Sequence, residues 1–408
     1  MDIQDKYVNF SVKEFHDRYK RTKEYMSKYN MDALMITTER NYIYYTGHTA
    51  TGTVPHWLWN MTYARPFAAV LPLEKEPFLV YSYVAEDLFS QPYARREGAY
   101  IISEAQSPSW IKQRKVYVNE PFTIDYFIDA FKEFGLTKGV IGCEFGIEQR
   151  LGLPLNDFIK LQKEFPKIKW VDASNIFWNM RVKKSPAEIE RLKEANRITM
   201  TISDRLIETA HVGMTTHEAE ALLYKWAKDE GADYLGLTLF YVTGPNGGYE
   251  YPPTGRYFQK GDLLYLDLGA QFQGYLADVN RLAHFGKPPD SLVKYNSILV
   301  EISKFLMSNI LPGERIKDVW LKLQDVYKRH GLPMRPNREG HGIGMQSAEW
   351  PSLNAATELI LEPNMTITSE PAFPTPEGYY LSIEHTMLVT EHGSESLTNL
   401  PFEMQIID

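Results

Sequence analysis

Apolar residues recur at two spacings along the first half of the chain, and these spacings predict helices that alternate with strands. Helical spacing covers residues 12–29, 125–134 and 155–165. Short apolar or β-branched runs predict strands at residues 31–38, 67–72, 77–81, 139–143 and 168–171. Strands separated by helices are typical of a mixed α/β domain, which we expect to span residues 1–175.

A change of pattern near Val182 predicts a second domain over residues 182–408. Ser185, followed by Pro186 and then by Glu188, has the spacing of a capping box at the start of a long charged helix. Further helices are predicted at residues 215–230, 292–311 and 316–330, and strands at 237–243, 263–269, 277–285, 365–370 and 380–390.

Composition and charge narrow the class of protein. The chain has 408 residues, a hydrophobic share of 44% and a net charge of -8 spread along its length. That charge disfavours nucleic acid and anionic membranes as partners, because both select clustered Lys and Arg. The segment MDIQDKYVNF lacks the pattern of a secretory signal, and the sequence has no apolar run of about 20 residues. Cys143 has no second cysteine with which to form a disulfide. These three observations predict a cytoplasmic protein.

Five potential ligands fall at the ends or edges of the predicted C-terminal strands. They are Asp267, Asp278, His341, Glu370 and Glu384. A hairpin turning at Gly274 would bring the two aspartates together on adjacent strands. Glu384 lies within the apolar run LSIEHTMLV, where an ionised carboxylate is costly unless it is paired or coordinated.

Four carboxylates and one imidazole are a hard, oxygen-rich set that suits two divalent ions such as Mn, Co, Fe or Zn. Each residue alone has an ordinary structural explanation: an aspartate at a strand end commonly caps a turn, and a single histidine is commonly structural. The metal hypothesis therefore depends on all five together.

The neighbours of these residues resemble a known family. The pattern LDLG with a second Asp beyond Gly-Tyr, then GHGIG, SEP and IEHTMLVT, resembles the pita-bread enzymes, which include prolidase, aminopeptidase P, methionine aminopeptidase and creatinase. The segments RYKRTKEYMSKYNMDALMIT and MRVKKSPAEIERLKEA extend the likeness over nearly the whole chain. The resemblance implies an α/β creatinase-like N-terminal domain, an α+β pita-bread catalytic domain with a curved antiparallel sheet, and a homodimer.

The chain departs from the peptidases of this family at three positions. The histidine expected after the Gly244-Pro245-Asn246 turn is missing, and Tyr251 or a close neighbour takes its place. The histidine of the family's H-E-x-P segment is replaced by Ala348, and an Arg that often precedes the last Glu ligand is replaced by Ser382. A phenol can donate a hydrogen bond, whereas alanine cannot.

Two further likenesses point away from peptidases. Glu384-His385 resembles the Glu-His pair of creatinase, and GHGIGMQSAEWP resembles the branch that contains dimethylsulfoniopropionate lyase. Ser347 and Gly269, however, stand where that lyase has acidic residues.

Aromatic residues add a candidate binding surface for the substrate. Trp57, Trp59 and Trp350, with Tyr251, could form an aromatic cage for a small cation, although packing or a dimer interface would explain the same tryptophans. His56 and His385 are candidates for moving protons, with a structural hydrogen-bonding role as the alternative.

The leading hypothesis is a dinuclear metal-dependent hydrolase of a small amino-acid-like amide, similar to Xaa-Pro dipeptidases and aminopeptidases, with Glu370 or Glu384 carrying the proton. One alternative is a lyase or C–N hydrolase acting on a small cationic osmolyte. Another is a non-catalytic binding module, which the complete ligand set disfavours because four adjacent carboxylates repel one another without ions.

Overall fold

The computed structural model describes residues 10–47, 66–82, 110–117, 123–243, 255–399 and 401–408. The chain divides into two compact units, Met1–Met180 and Arg181–Asp408. No helix within the described ranges is long and apolar enough to cross a membrane.

The first unit is built on a six-stranded mixed sheet. Its strands are β1 (Ala33–Ile36), β2 (Ala68–Pro72), β3 (Phe78–Ser82), β4 (Gln113–Tyr117), β5 (Gly139–Cys143) and β6 (Ile168–Asp172), in the order β4-β3-β2-β1-β5-β6. The β1–β2 and β2–β3 pairs are antiparallel, whereas β1–β5, β5–β6 and β3–β4 are parallel. The predicted α/β class is confirmed.

The described helices that begin in this unit are α1 (Val12–Lys28), α2 (Glu39–Thr46), α3 (Asp125–Glu133), α4 (Leu155–Glu164) and α5 (Ser174–Val182). The pattern predicted α1, α3 and α4 to within a residue or two of each end. It predicted neither α2 nor α5. The strand predicted through Thr38 stops at Ile36, because α2 begins only three residues later.

A distant carboxylate holds the beginning of α2. Glu144 is fully buried and accepts hydrogen bonds from the backbone N–H groups of Thr37 (2.7 Å) and Thr38 (2.9 Å) and from Asn41 Nδ2 (2.6 Å). Orphan N–H groups at a helix N-terminus favour a negative charge, so Glu144 satisfies donors that the helix itself leaves unpaired.

The second unit contains two larger sheets. The strands of the first are β7 (Tyr234–Thr243), β8 (Leu263–Phe272), β9 (Tyr275–Leu276), β10 (Val279–Phe285) and β18 (Gln405–Ile407). Those of the second are β11 (His341–Gly342), β12 (Glu349–Ser352), β13 (Thr366–Ser369), β16 (His385–Thr390) and β17 (Gly393–Ser396). The first sheet has the order β18-β10-β8-β7 with β9 paired to β8, and the second has the order β12-β11-β13-β16-β17. A separate hairpin pairs β14 (Ala372–Pro374) with β15 (Tyr380–Ser382).

Four further helices are described in this unit: α6 (Pro186–Thr209), α7 (Thr216–Asp229), α8 (Asp290–Asn309) and α9 (Ile316–Arg329). Helix α6 begins at the predicted capping box, in which Ser185 and Glu188 exchange side-chain and backbone hydrogen bonds. The even-numbered leucines of β8 (Leu264, Leu266 and Leu268) join the same buried core as α6 and α7. The odd-numbered residues of β8 therefore project from the opposite face of this sheet.

Several details of the predicted strands are wrong. The strand predicted from residue 237 begins at Tyr234, and the one predicted from residue 277 begins at Val279. Asp267 lies in the middle of β8 rather than at its end, since the strand continues to Phe272. The strand predicted over residues 380–390 is divided into β15 and β16, and Glu384 lies in the break between them. The hairpin at Gly274 is confirmed: Gln273 and Gly274 both have positive φ, which is typical of a tight two-residue turn between β8 and β9.

Candidate metal centre

The five predicted ligands come from both sheets of the second unit. Asp267 lies within β8, and Asp278 immediately precedes β10, which pairs with β8. His341 opens β11, Glu370 directly follows β13, and Glu384 directly precedes β16. All of these except Glu370 are buried, so the sequence-distant side chains converge in an interior, acidic site.

His341 lies at the centre of this cluster. Its Nε2 is 3.7 Å from Asp278 Oδ2, 3.7 Å from Glu384 Oε1 and 3.9 Å from Glu370 Oε2. One ligand atom from each of Asp278, His341 and Glu384 lies within 4.8 Å of the others, which is a spacing that can hold a metal ion. Asp267 is hydrogen-bonded to Asp278 and interacts electrostatically with Glu370, which places it in the same group.

The backbone around His341 fixes both its position and its tautomer. A Cβ on Gly340 would lie 2.0 Å from the Thr368 carbonyl oxygen, so only glycine allows this close approach. His341 Nδ1 lies 3.0 Å from the Gly342 carbonyl oxygen and donates to it. Burial lowers the pKa of His341 to about 4. The ring is therefore neutral at neutral pH, with the lone pair of Nε2 facing the carboxylates.

Each of the four carboxylates of this cluster has an oxygen without a hydrogen-bond donor among the described protein groups. Asp267 Oδ1, Asp278 Oδ1, Glu370 Oε2 and Glu384 Oε1 are buried and have no hydrogen-bond partner within the described structure. Burial, followed by the negative charge of Glu370, raises the pKa of Asp267 to about 7. Burial and neighbouring carboxylates also raise the pKa values of Asp278 and Glu384 well above the usual range. Such a set fits divalent cations, which would satisfy the orphaned oxygens and offset their repulsion.

Arg335, which the sequence pattern did not indicate as a site residue, contacts this cluster. Arg335 Nη1 lies 3.0 Å from Glu370 Oε1, and Nη2 donates to the Glu370 backbone carbonyl. Glu339, which accepts a hydrogen bond from Tyr327, lies on the other side of the same guanidinium. Glu370 is thus held at two points and directs its second oxygen at His341. Ser382, at the position where the resemblance predicts an arginine, donates to the Pro371 carbonyl oxygen at 3.1 Å.

A buried arginine, Arg181, anchors the segment that follows His341. Arg181 Nη2 donates to Glu349 Oε1 and, at 2.9 Å, to Gln346 Oε1. Lys184 Nζ lies 3.9 Å from the other oxygen of Glu349, and the side chains of Arg181, Lys184 and Glu349 are all at most 4% exposed. Because Glu349 pairs with Gly342 across β11 and β12, this ion pair fixes the strand that carries His341.

Two other predicted residues make structural contacts. His385 stacks on Phe402 at 4.6 Å, and its two ring nitrogens lie 3.3 Å from Arg281 Nη2 and from Ser396 Oγ. Trp350 is half-buried against the core formed with α8 and α9. Their proposed roles in proton transfer and substrate binding stay predictions. The candidates His56, Trp57, Trp59 and Tyr251 lie outside the described residues.

Comparison with known proteins agrees with this arrangement. Residues 190–391 match the metallopeptidase family M24, and residues 18–183 match the creatinase/prolidase N-terminal domain. The chain is 26% identical to an Xaa-Pro dipeptidase of Pyrococcus horikoshii over 311 residues, covering 75% of this chain and 88% of the dipeptidase. It is 24% identical to the ectoine hydrolase of Halomonas elongata over 423 residues, covering 97% and 98% of the two chains. The fold is similar to that of dipeptidase PepE from Mycobacterium ulcerans, with a TM-score of 0.79, 22% identity, and coverage of 98% of this chain and 100% of PepE.

Proposed function

Because the chain belongs to the pita-bread family of prolidases, creatinases and M24 metallopeptidases, we propose that it is a dinuclear metal-dependent hydrolase of a small amino-acid-like amide, with Xaa-Pro dipeptides as its substrates. The observation that carries this proposal is the group of four carboxylates, three of them buried, that converges beside the neutral ring of His341. A binding-only protein would gain nothing from retaining this repulsion.

We assign Asp267, Asp278, His341, Glu370 and Glu384 as the residues that hold the ions. Paired divalent ions supply Lewis acidity toward an amide carbonyl and activate water for attack. The assignment of two ions follows from the number of carboxylates, since a single ion would leave part of the repulsion uncompensated.

Among the protein's own groups, Glu370 is better placed than Glu384 to carry a proton. Its side chain is 14% exposed, whereas that of Glu384 is 1% exposed, so Glu370 is the more accessible of the two carboxylates. Arg335 holds one oxygen of Glu370 and leaves the other facing the cluster. Glu370 would accept a proton from the attacking water and deliver it to the departing amine.

The first test combines elemental analysis with a substrate panel. We expect about two divalent metals per chain. Xaa-Pro dipeptides, creatine, ectoine and betaine or sulfonium compounds should each be assayed with Mn, Co, Fe and Zn. Dipeptide hydrolysis that depends on the added metal supports the proposal. Metal-dependent turnover of small cations alone would replace the substrate assignment, and a metal-free protein under all conditions would overturn the whole site.

A C–N hydrolase of a small osmolyte-like compound is the second candidate. It is favoured by the similarity to ectoine hydrolase over almost the full length of both chains and by the absence of a histidine at Ala348. Loss of a positioned proton donor typically costs on the order of 10²–10⁴-fold in rate, which would weaken peptide hydrolysis.

The substitution Ala348→His distinguishes these two candidates. Ala348 is exposed, so a larger side chain fits without repacking. If the site retains a peptidase geometry, the variant should hydrolyse an Xaa-Pro dipeptide at least about tenfold faster than the unmodified protein. Ala348→Gln has a similar size but cannot exchange a proton, and it serves as the matched control. Equal rates of dipeptide hydrolysis in all three proteins would favour the hypothesis of a C–N hydrolase of an osmolyte-like compound.

A homodimer stays a prediction of the family resemblance. Manganese as the bound ion and a cytoplasmic location stay predictions from the ligand types and from the composition of the chain. Sedimentation at several protein concentrations, metal-dependent turnover with each ion separately, and cell fractionation would test them in turn.

A further inference from the structure

Asn280 is a buried polar residue that the proposed function leaves unexplained. Its side chain is fully buried in β10, and neither Nδ2 nor Oδ1 has a hydrogen-bond partner in the described part of the chain. A buried amide that makes no hydrogen bond is destabilising, and most such groups in native proteins find a partner. We therefore expect the side-chain amide of Asn280 to form its hydrogen bonds in a different state of the site, such as the metal-loaded one.

The strand register places Asn280 between two of the proposed ligands. It pairs directly with Asp267 on β8, and it forms an isolated antiparallel bridge with Glu384 on the other side. Directly opposed residues project from the same face, with Cβ atoms about 4.5–5.5 Å apart. Asp278 precedes Asn280 by two residues and shares that face. Asn280 thus lies on the same face as three proposed ligands, flanked by two of them.

The negative charges of Asp267 and Glu384 determine which end of the Asn280 amide can form hydrogen bonds with them. Asp267 and Glu384 each have a buried oxygen without a partner, and a carboxylate can only accept hydrogen bonds when ionised. The NH2 group of Asn280 is attracted to both neighbours, whereas its carbonyl oxygen is repelled by them. Two N–H donors match two flanking acceptors.

We propose that Asn280 is a positioning residue that donates one N–H to Asp267 and the other to Glu384 when the site is loaded with metal. This inference rests on the proposed function, since it assigns a role toward the same ions. By holding a carboxylate of each neighbouring strand, Asn280 would orient the ligands and reduce their mutual repulsion. Hydrogen bonds of this kind behind metal ligands typically contribute a factor of 10–100 to metal affinity.

The test is the affinity of the full-length, metal-stripped protein for Mn²⁺, measured by isothermal titration calorimetry. Asn280→Leu keeps the branched arrangement of side-chain heavy atoms but removes both donors, and it should bind Mn²⁺ about 10–100-fold more weakly. Asn280→Thr retains one donor and should bind at least about threefold more tightly than the leucine variant, by the same argument. If the leucine variant does not fold, the threonine variant should still bind about 3–10-fold more weakly than the unmodified protein.

A matched control comes from α8. Asn296 is also a buried asparagine with an unpartnered Oδ1, but it lies on a helix rather than beside the ligands. Asn296→Leu should leave Mn²⁺ affinity unchanged. Equal affinities of the Asn280→Leu and unmodified proteins, or of the Asn280→Leu and Asn280→Thr variants, would overturn the inference. Failure of the unmodified protein to bind Mn²⁺ at all would instead overturn the proposed function.

Discussion

Replacing Asp278 with asparagine should abolish metal-dependent hydrolysis and also stabilise the metal-free protein. Activity is lost because one of the ligands that surround His341 becomes neutral. Stability is gained because a buried carboxylate that repels Asp267 and Glu384 is removed. The expected gain in the free energy of unfolding is on the order of 1–4 kcal/mol, the size of one like-charge repulsion at about 4 Å. Urea unfolding of metal-stripped proteins measures it.

The response to metal separates this effect from general stabilisation. Added Mn²⁺ should raise the midpoint of thermal unfolding of the unmodified protein, because an ion that binds only the folded state stabilises it. It should leave the Asp278→Asn variant unchanged. Asp233→Asn is the matched control: Asp233 is also buried, but it accepts a hydrogen bond from Gly274 at 2.9 Å outside the cluster. Retained activity in Asp278→Asn would remove Asp278 from the site.

The stability of the metal-free protein should decrease as the pH rises. The pKa of Asp267 is raised from 3.8 to about 7, so the folded state binds more protons than the unfolded state between these values. The metal-free protein should therefore lose stability as pH rises through this window. The Asp278→Asn variant should lose less, because it lacks the Asp278 carboxyl, whose own pKa burial and neighbouring carboxylates raise in the folded state.

Replacing Arg181 with methionine should destabilise the second unit by about 3–5 kcal/mol, which is the usual cost of leaving a buried charge without its partner. Among the described residues, Glu349 would retain the Gln346 backbone N–H, which donates to Oε1 at 3.0 Å, and a single cation, Lys184, whose Nζ is 3.9 Å away. The carboxylate of Glu349 is completely enclosed, and Arg181 is the main charge that offsets its burial and lowers its pKa. Urea unfolding monitored by tryptophan fluorescence measures the loss.

Two variants control for loss of packing and for loss of any ion pair. The double substitution Arg181→Met with Glu349→Gln removes the stranded charge and should recover most of the stability. Lys322→Met breaks the exposed pair between Lys322 and Glu314 and should cost less than about 1 kcal/mol. A small effect of Arg181→Met, or no recovery in the double variant, would show that the ion pair does not stabilise this segment.

The sequence was sufficient for those parts of the fold that depend on local pattern. The period of apolar residues located α1 and β5, and the Ser185 and Glu188 spacing located the beginning of α6. The five candidate ligands could be selected together because each has distinctive neighbours, such as the glycines around His341. The hairpin at Gly274 and the pairing of strands in the two sheets bring these ligands together. That convergence is seen in the structure and not in the sequence alone.

The parts that escaped prediction depend on partners distant in sequence. Helix α2 begins directly after Thr37 and Thr38, whose N–H groups donate to Glu144, yet Glu144 is about a hundred residues away along the chain. Arg335 lies in an irregular segment with no apolar period, and nothing local indicates that it pairs with Glu370. Asn280 gains its significance only from the register that places it between Asp267 and Glu384.

The alternation of faces along β8 and β10 restricts how this protein could change length during evolution. The even-numbered residues of β8 face the helices, and the odd-numbered residue Asp267 faces the acidic site. Inserting or deleting one residue within either strand would exchange these faces beyond the point of change. The apolar core and the ligands would then be lost in a single step. Surviving descendants should accumulate length changes in the connections of this unit and almost none between Leu263 and Phe285.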